Sequence, residues 1–415
     1  MAFVGMTINY LDRTALGVAA PWIAKDLHLA PKAVGSALSA FFIAYALCLI
    51  PFGAFVDRAG PRRAYPLGMV WWSVFSGLTA VANGLGWLFG IRFLLGVGEA
   101  SSMPTNAKVT ATWFPRQERA RASSIWDAGA RVGITLAFPV VGGLIAFAGW
   151  RAAFVVTGII GIVWAVVWYA LYRDPEGSRA NAAELAHIRA GAVPEPTGRI
   201  SIGELFRYRT VWGMMIGFFC SNIVNYFFVT WFPSYLVSVR HFSLTSVATV
   251  GMIPPLCGIA GGLLAGVVAD RLLRAGWSVT AARKTCLVGS LIVASVIALA
   301  VIAPTTPMAI ALFSLANAAI AFNGASINGL APEVAPTRAY VGTLQGIQTF
   351  GGNLAGIVTA FATGVMVEIT SGSFVIPVAV AGCFALLGAL TYLVVVGKIE
   401  PLGARPDVAG AVTSS

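Results

Sequence analysis

The sequence predicts an all-α membrane protein in which twelve transmembrane helices form two six-helix bundles. Hydrophobic residues make up 58% of the 415 residues and charged residues only 10%, and the mean hydropathy is +0.82. Apolar stretches of about 20 residues, the length needed to cross a bilayer, alternate with short polar links. No soluble core uses so much apolar surface, so the composition excludes a soluble globular fold.

The apolar stretches place the spans along the whole chain. They lie at residues 2–24, 34–56, 64–83, 86–109, 121–146, 151–172, 210–238, 245–269, 285–303, 307–330, 340–367 and 373–397. A polar linker at residues 173–209 separates the first six spans from the last six. We therefore expect an N-terminal bundle at 1–172, a C-terminal bundle at 210–397 and a tail at 398–415, with both termini on one side of the membrane.

The net charge of +11 follows from the topology and does not indicate nucleic acid or an acidic partner. Basic residues gather in every second link, as the positive-inside rule describes. These links hold Arg58, Arg62, Arg63, Arg116, Arg119, Arg121, the arginines from Arg173 to Arg209, Arg271, Arg274, Arg283, Lys284, Arg338, Lys398 and Arg405. The other links hold only Lys25, Lys32, Arg151 and Arg240. The pattern predicts a multi-pass inner-membrane protein, surrounded by lipid, with both termini and the linker in the cytoplasm.

Several classes of function lack the residues they need. The five cysteines stand singly in apolar spans, without the spacing of a metal site or a disulfide framework. The three histidines fall near links, and no phosphate-binding G-x-x-x-x-G-K-[ST] loop is present. A membrane hydrolase would need a nucleophile and base at depth, and a sensor would need an appended soluble domain. We expect no cofactor, no metal and no enzymatic activity.

A short signature occurs twice, two helices into each half. Gly53, Asp57 and Arg58 end the second span, and Gly266, Asp270 and Arg271 end the eighth. Two sets of six helices with the same signature in the same place indicate a duplicated transporter. The aspartate and the arginines that follow, including Arg62, are suited to pairing across the cytoplasmic mouth and latching one conformation.

Six charged residues lie inside the hydrophobic spans: Asp12, Arg13, Arg92, Glu99, Asp127 and Arg131. A charge at mid-membrane costs at least about 2.5 kcal/mol, so such residues usually mark an ion or substrate path. Arg13 keeps its charge at any accessible pH and suits bidentate capture of a carboxylate. Asn9 lies one turn before it, and Tyr10 and Tyr45 supply hydroxyls and aromatic walls. The alternative for Arg13 is a permanent ion pair with Asp12 or Glu99.

Glu99 is the best candidate for a coupling proton, because the protonation of a buried carboxylate depends on its surroundings and changes with conformation. Arg92 lies two turns earlier on the same face and reaches toward it, and Asp12 is a second protonatable group. The alternative is that Arg92 and Glu99 only hold helix 4 against a neighbour. In the eleventh span, residues 340–367, we favour Gln348 and Asn353 as the residues that bind the uncharged end of a substrate.

The sequence resembles the major facilitator superfamily. The residues similar to its loop signature are Gly53, Asp57, Arg58, Gly60, Arg62 and Arg63, with Gly266, Asp270 and Arg271 as the weaker second copy. Within that superfamily it resembles the anion:cation symporters, which include galactonate, glucarate and hexuronate transporters, sialin and the vesicular glutamate transporters. The segments that carry this resemblance are 9–13, 45–51, 92–104, 225–236 and 351–354. It implies that Arg13 binds substrate, that Asp12 and Glu99 carry protons and that Arg92 links them.

The chain departs from these relatives where they commonly hold sugar hydroxyls. Leu49 stands where glutamine is common, and Asp127 and Arg131 replace amide-bearing positions in helix 5. Asp127 and Arg131 are spaced as a self-contained i,i+4 pair, and the other interpretation is that Arg131 faces the cavity. We expect a monomeric proton symporter that imports an organic anion. The substrate that we favour is a monocarboxylate such as a sugar acid. Aromatic carboxylates, dicarboxylates, anion exchange and a sensor without transport are the alternatives.

Overall fold

The computed structural model describes residues 1–115, 118–178, 180–189, 202–336 and 340–402. In the first half it contains α1 (Ala2–Asp26), α2 (Pro31–Ala59), α3 (Pro61–Leu78), α4 (Leu85–Glu99), α5 (Ser102–Trp113) and α6 (Arg119–Leu171). Short helices α7 (Ala182–Arg189) and α8 (Ile202–Leu205) belong to the linker. The second half contains α9 (Arg209–Thr230), α10 (Phe232–Ser238), α11 (Leu244–Val250), α12 (Ile253–Arg274), α13 (Val279–Ala294), α14 (Ile297–Ala300), α15 (Thr306–Asn328), α16 (Leu330–Val334), α17 (Val341–Ile369) and α18 (Val375–Leu390).

The twelve predicted spans are confirmed, although several are joined or interrupted. Over the described ranges, eight helical segments are long and apolar enough to cross a membrane. One of these, Arg121–Leu171, holds two spans that meet at Gly149, where φ is +83° and the helix turns. Three further spans are α1, α3 and the pair α4 and α5, which are too polar or too short to be counted by length and hydropathy alone.

Helix breaks follow local sequence. Span 7 divides at Trp231 into α9 and α10, and Pro233 follows at the start of α10. Span 8 divides between α11 and α12, immediately before Pro254 and Pro255, which cannot donate backbone hydrogen bonds inside a helix. Such breaks are tolerated at membrane depth where neighbouring helices cover the backbone.

Part of the predicted cytoplasmic surface lies outside the described residues. This applies to Arg116, Arg338 and Arg405, to residues 190–201 of the linker and to the tail from residue 403. The described part of the chain contains no β-strand, which agrees with the all-α prediction.

The two halves contact each other through α2 with α17, α1 with α9 and α10, and α6 with α11 and α12. The closest approaches lie toward the end that carries the connection between α1 and α2. A Cβ atom at Gly17 would lie 2.3 Å from the carbonyl oxygen of Val229, so only glycine allows these backbones to meet. At the same end, the backbone N–H of Lys32 donates to Glu368 Oε2 across the halves at 3.0 Å. The halves are therefore closed at the end opposite the termini.

Candidate functional site

The centre of the first half holds a buried ion pair between α1 and α4. Arg13 donates to Glu99 Oε2 through Nε at 3.2 Å and Nη2 at 2.9 Å. The side chains are 4% and 0% exposed. Of the two partners that the sequence allowed for Arg13, the structure selects Glu99 and not the neighbouring Asp12. The other oxygen of Glu99, Oε1, is buried and accepts no hydrogen bond among the described residues.

Aromatic rings surround the Arg13 guanidinium on its remaining sides. Its Cζ atom lies 4.5 Å from the ring centre of Tyr10 and 4.8 Å from those of Phe41 and Tyr45. Asn9 Oδ1 accepts from Arg13 Nη2 at 3.5 Å. Each ring attracts the cation by about 0.5–2 kcal/mol, depending on how well water is excluded. The structure therefore brings together four residues that were predicted to bind substrate: Asn9, Tyr10, Arg13 and Tyr45.

Phe41 is the member of this group that the sequence analysis missed. It lies one turn before Tyr45 on the same face of α2, and that spacing is the signal that would have found it. Its ring also lies 5.4 Å from Arg92 Cζ, so it separates two guanidinium groups. An apolar ring between two buried arginines limits their contact with water without cancelling either charge.

Asp12 occupies a separate polar pocket between α1, α3 and α6. Ser76 Oγ donates to Asp12 Oδ1 at 3.3 Å, and Ser76 and Thr157 share a hydrogen bond of 3.2 Å. Asp12 is fully buried, and its Oδ2 has no hydrogen-bond partner among the described residues. Ser76 and Thr157 were not predicted, because a hydroxyl on an apolar helix gives no distinctive sequence signal.

Arg92 lies within electrostatic range of both Asp12 and Glu99. Its Nε and Nη1 atoms are buried and have no hydrogen-bond partner within the described ranges. A buried polar atom left in this way costs about 1–3 kcal/mol. Asp12, Glu99 and Arg92 each leave such atoms, so the cluster is not optimised for stability and has spare capacity to bind protons or polar ligands.

Asp127 and Arg131 do not form the i,i+4 ion pair that the sequence favoured. Their charged atoms are not within 4.0 Å of each other in the described structure. The Arg131 side chain instead crosses to the second half, where Nη2 lies 3.5 Å from the carbonyl oxygen of Ala321. The α6 helix packs closely on α1 at this depth, where a Cβ atom at Gly129 would lie 2.4 Å from the Phe3 carbonyl oxygen, and Arg131 extends from α6 to α12 and α15 of the second half.

Arg131 lines a central cavity of ≈ 30 Å³, which has room for about two water molecules. The other lining residues are Ile134, Asn225, Phe228, Val229, Pro255, Gly258, Asn317 and Ala321. They come from both halves of the molecule. The cavity therefore lies at the interface between the two halves.

The two predicted residues of α17 differ in position. Asn353 Oδ1 accepts from the Tyr226 hydroxyl at 3.3 Å, and the Tyr226 ring packs on Phe42 at 4.6 Å, across the interface between the halves. Gln348 is fully buried and donates to the carbonyl oxygen of Ile327 at 3.4 Å. Gln348 thus lies between α17 and α15 in the described conformation and is not among the residues that line the central cavity.

The repeated signature forms contacts within the first half. Asp57 pairs with Lys108 of α5 at 2.7 Å instead of with an arginine, and Arg62 lies 5.1 Å over the Tyr169 ring. Arg58, Asp270 and Arg271 are exposed and form no ion pair among the described residues. Lys108 was not predicted, because a lysine at the end of a predicted span, here 86–109, is ordinary in sequence.

Comparison with known proteins agrees with this architecture. A family model described as the Major Facilitator Superfamily matches residues 2–360. The "Probable L-galactonate transporter" of Escherichia coli (strain K12) is 34% identical over 400 residues, which cover 95% of this chain and 88% of that protein. A "Probable galactarate/D-glucarate transporter" of the same organism is 35% identical over 421 residues, with 96% and 94% covered.

Two further comparisons extend this result. The "Hexuronate transporter" of Bacillus subtilis (strain 168) is 33% identical over 410 residues, which cover 97% of this chain and 94% of that protein. A crystal structure of a bacterial homologue of the human lysosomal transporter Spinster, inward-facing and occupied, superposes with a TM-score of 0.78. It is 19% identical and the match covers 95% of each chain, so it supports the fold alone.

Proposed function

The chain belongs to the major facilitator superfamily, and within that family we propose that it is a proton-coupled symporter that imports a sugar acid. It is a multi-pass membrane transporter and not an enzyme. The relatives named for galactonate, galactarate, glucarate and hexuronate support a sugar acid as the substrate class. We place the termini in the cytoplasm, as the distribution of basic residues predicts, and we propose that the protein is a monomer of the inner membrane, like the bacterial membrane transporters to which it is similar.

The observation that carries the proposal is the buried pair of Arg13 with Glu99. Arg13 has a permanent positive charge, and in this structure a carboxylate of the protein itself occupies its donors. When Glu99 binds a proton, it loses the charge that holds the guanidinium. The Nε and Nη2 donors of Arg13 are then available to a carboxylate of the substrate, which accepts the same charge-assisted hydrogen bonds.

This exchange of partners couples the two ions. A substrate anion at Arg13 while Glu99 is still ionised would place two carboxylates beside one cation, and like charges at such distances repel. Binding of the anion and of the proton at Glu99 therefore favour each other. Asp12 is a second proton-binding group, and Arg92, within electrostatic range of both carboxylates, transmits the change in charge between them.

Transport then requires that the cavity open to alternate sides. The halves are closed at the end opposite the termini, through α2 with α17 and α1 with α9. If the termini are cytoplasmic, the described conformation opens inward. Release of the proton and the anion to the cytoplasm would restore the Arg13 to Glu99 pair, which is the resting arrangement of the proposed cycle.

Proteoliposome uptake tests the proposal. Purified protein is reconstituted, a pH gradient of one unit is imposed, and uptake of labelled galactonate is followed. One unit is worth 1.36 kcal/mol per proton, so symport of one proton with one monoanion should concentrate galactonate about tenfold. Glu99→Gln should abolish this accumulation and spare exchange of labelled for unlabelled galactonate. The matched control is Glu184→Gln, an exposed carboxylate of α7, which should behave as wild type.

Two results would refute the proposal. Accumulation by Glu99→Gln in response to the pH gradient would show that this residue does not couple protons. Exchange by the wild type without any accumulation would identify the protein as an anion exchanger instead.

A further inference from the structure

We propose that Arg131 is a second anion-binding pole of the transport site, so that the preferred substrate is an acid with two anionic ends. Arg13 would bind one end and Arg131 the other. The inference rests on the proposed function and narrows its substrate from sugar acids in general to sugar acids with two carboxylates.

The first support is that Arg131 has no partner of opposite charge within the described residues. Asp127, one turn earlier, lies beyond ion-pair distance. The guanidinium has five N–H donors, and the described structure uses Nη2 for a long contact of 3.5 Å to the Ala321 carbonyl. A permanent cation with free donors at membrane depth is the feature that an anionic ligand would satisfy.

The second support is the wall against which the guanidinium lies. A Cβ atom at Gly262 would lie 3.2 Å from Arg131 Nε, and one at Gly324 would lie 3.9 Å from Nη2. Gly262 therefore lets the guanidinium pack close to the α12 backbone, and a side chain there would crowd the charged group. The cavity beside it also contains the side chains of Asn225 and Asn317, whose amides both donate and accept hydrogen bonds and suit the hydroxyls of a carbon chain.

The third support is the position of Tyr10 between the two arginines. Its ring centre lies 4.5 Å from Arg13 Cζ. A Cβ atom at Gly133, two residues beyond Arg131, would lie 3.0 Å from Tyr10 Cβ. Tyr10 therefore lies between Arg13 and the turn of α6 that carries Arg131, and in the proposed complex a single extended ligand lies along this side chain.

Calorimetry with a matched pair of probes tests the inference. Galactarate carries a carboxylate at both ends of a six-carbon chain, and galactonate has the same chain with a single carboxylate. Wild-type protein in detergent micelles should bind galactarate at least about tenfold more tightly. Arg131→Gln should weaken galactarate by about 10-fold to 100-fold, the range of one charged hydrogen bond, and should change galactonate less than threefold.

Two variants complete the design. Arg207→Gln, the same substitution at an exposed position of the linker, should leave both affinities unchanged. Arg131→Lys keeps the positive charge but lacks the paired N–H donors of the guanidinium, so it should bind galactarate more weakly than wild type and more tightly than Arg131→Gln. It also tests the selective loss of galactarate affinity if Arg131→Gln folds poorly. Equal losses for both probes in the Arg131 variants, or no loss, would overturn the inference while leaving a sugar-acid transporter in place. Failure of wild-type protein to bind or transport either probe would instead count against the proposed function.

Discussion

Arg13→Ala should destabilise the protein more than Glu99→Gln, because the two substitutions leave different charges behind. Among the described residues, Glu99 accepts its hydrogen bonds from Arg13 and is completely buried. Removal of Arg13 therefore leaves an uncompensated carboxylate, which costs about 3–5 kcal/mol of unfolding free energy. In Glu99→Gln, Arg13 keeps Asn9 and three aromatic rings, and the loss is that of charged hydrogen bonds, about 1.5–3 kcal/mol.

The double variant separates the pair from its surroundings. With both charges absent, its cost should fall below the sum of the two single costs by about 0.5–3 kcal/mol, the coupling expected for groups in direct contact. The assay is denaturant unfolding of purified protein in detergent micelles, followed by intrinsic tryptophan fluorescence. Lys108→Ala, which breaks the exposed pair with Asp57, is the control and should cost about 0–1 kcal/mol.

The result that would refute this reasoning is additivity. If the cost of the double variant equals the sum of the single costs within about 0.5 kcal/mol, Arg13 and Glu99 do not stabilise each other. The exchange of partners proposed for proton coupling would then lose its physical basis, whatever the uptake measurements show.

Three further predictions follow from the packing. Gly17→Ala places a Cβ atom 2.3 Å from a carbonyl of α9, so it should disfavour the closed end by about 1–3 kcal/mol and raise the labelling of a cysteine introduced there; unchanged labelling would contradict this. Asp57→Asn should change stability by about 0–1 kcal/mol but slow initial uptake, as should Lys108→Gln, and full uptake rates in both would exclude a latch. Tyr45→Phe keeps the ring over Arg13 and should unfold like wild type. Tyr45→Ala removes a buried ring together with its contact to the cation and should lose about 3–5 kcal/mol of unfolding free energy; equal unfolding curves would show that the ring contributes nothing.

The sequence by itself determined the membrane fold and the depth of its charges. Twelve apolar stretches predicted the spans because the length needed to cross lipid and the cost of exposing backbone there are properties of each segment alone. The same reasoning identified Asp12, Arg13, Arg92 and Glu99 before any contact was known. Burying an ionisable side chain in lipid costs free energy whatever its neighbours are. A charged residue inside an apolar span can therefore be recognised from the sequence alone.

Tertiary structure decided which of these groups meet. Arg13 pairs with Glu99, 86 positions away, while its neighbour Asp12 turns toward Ser76, because adjacent residues of a helix point about 100° apart. The i,i+4 spacing of Asp127 and Arg131 allowed a local pair, but spacing fixes only which residues share a helix face. Because α6 packs on α12, the Arg131 side chain lies against Gly262 of α12 and reaches the Ala321 carbonyl of α15 in the second half. Partner choice thus depends on helix positions and rotations that are set by the whole assembly, and no single segment encodes them.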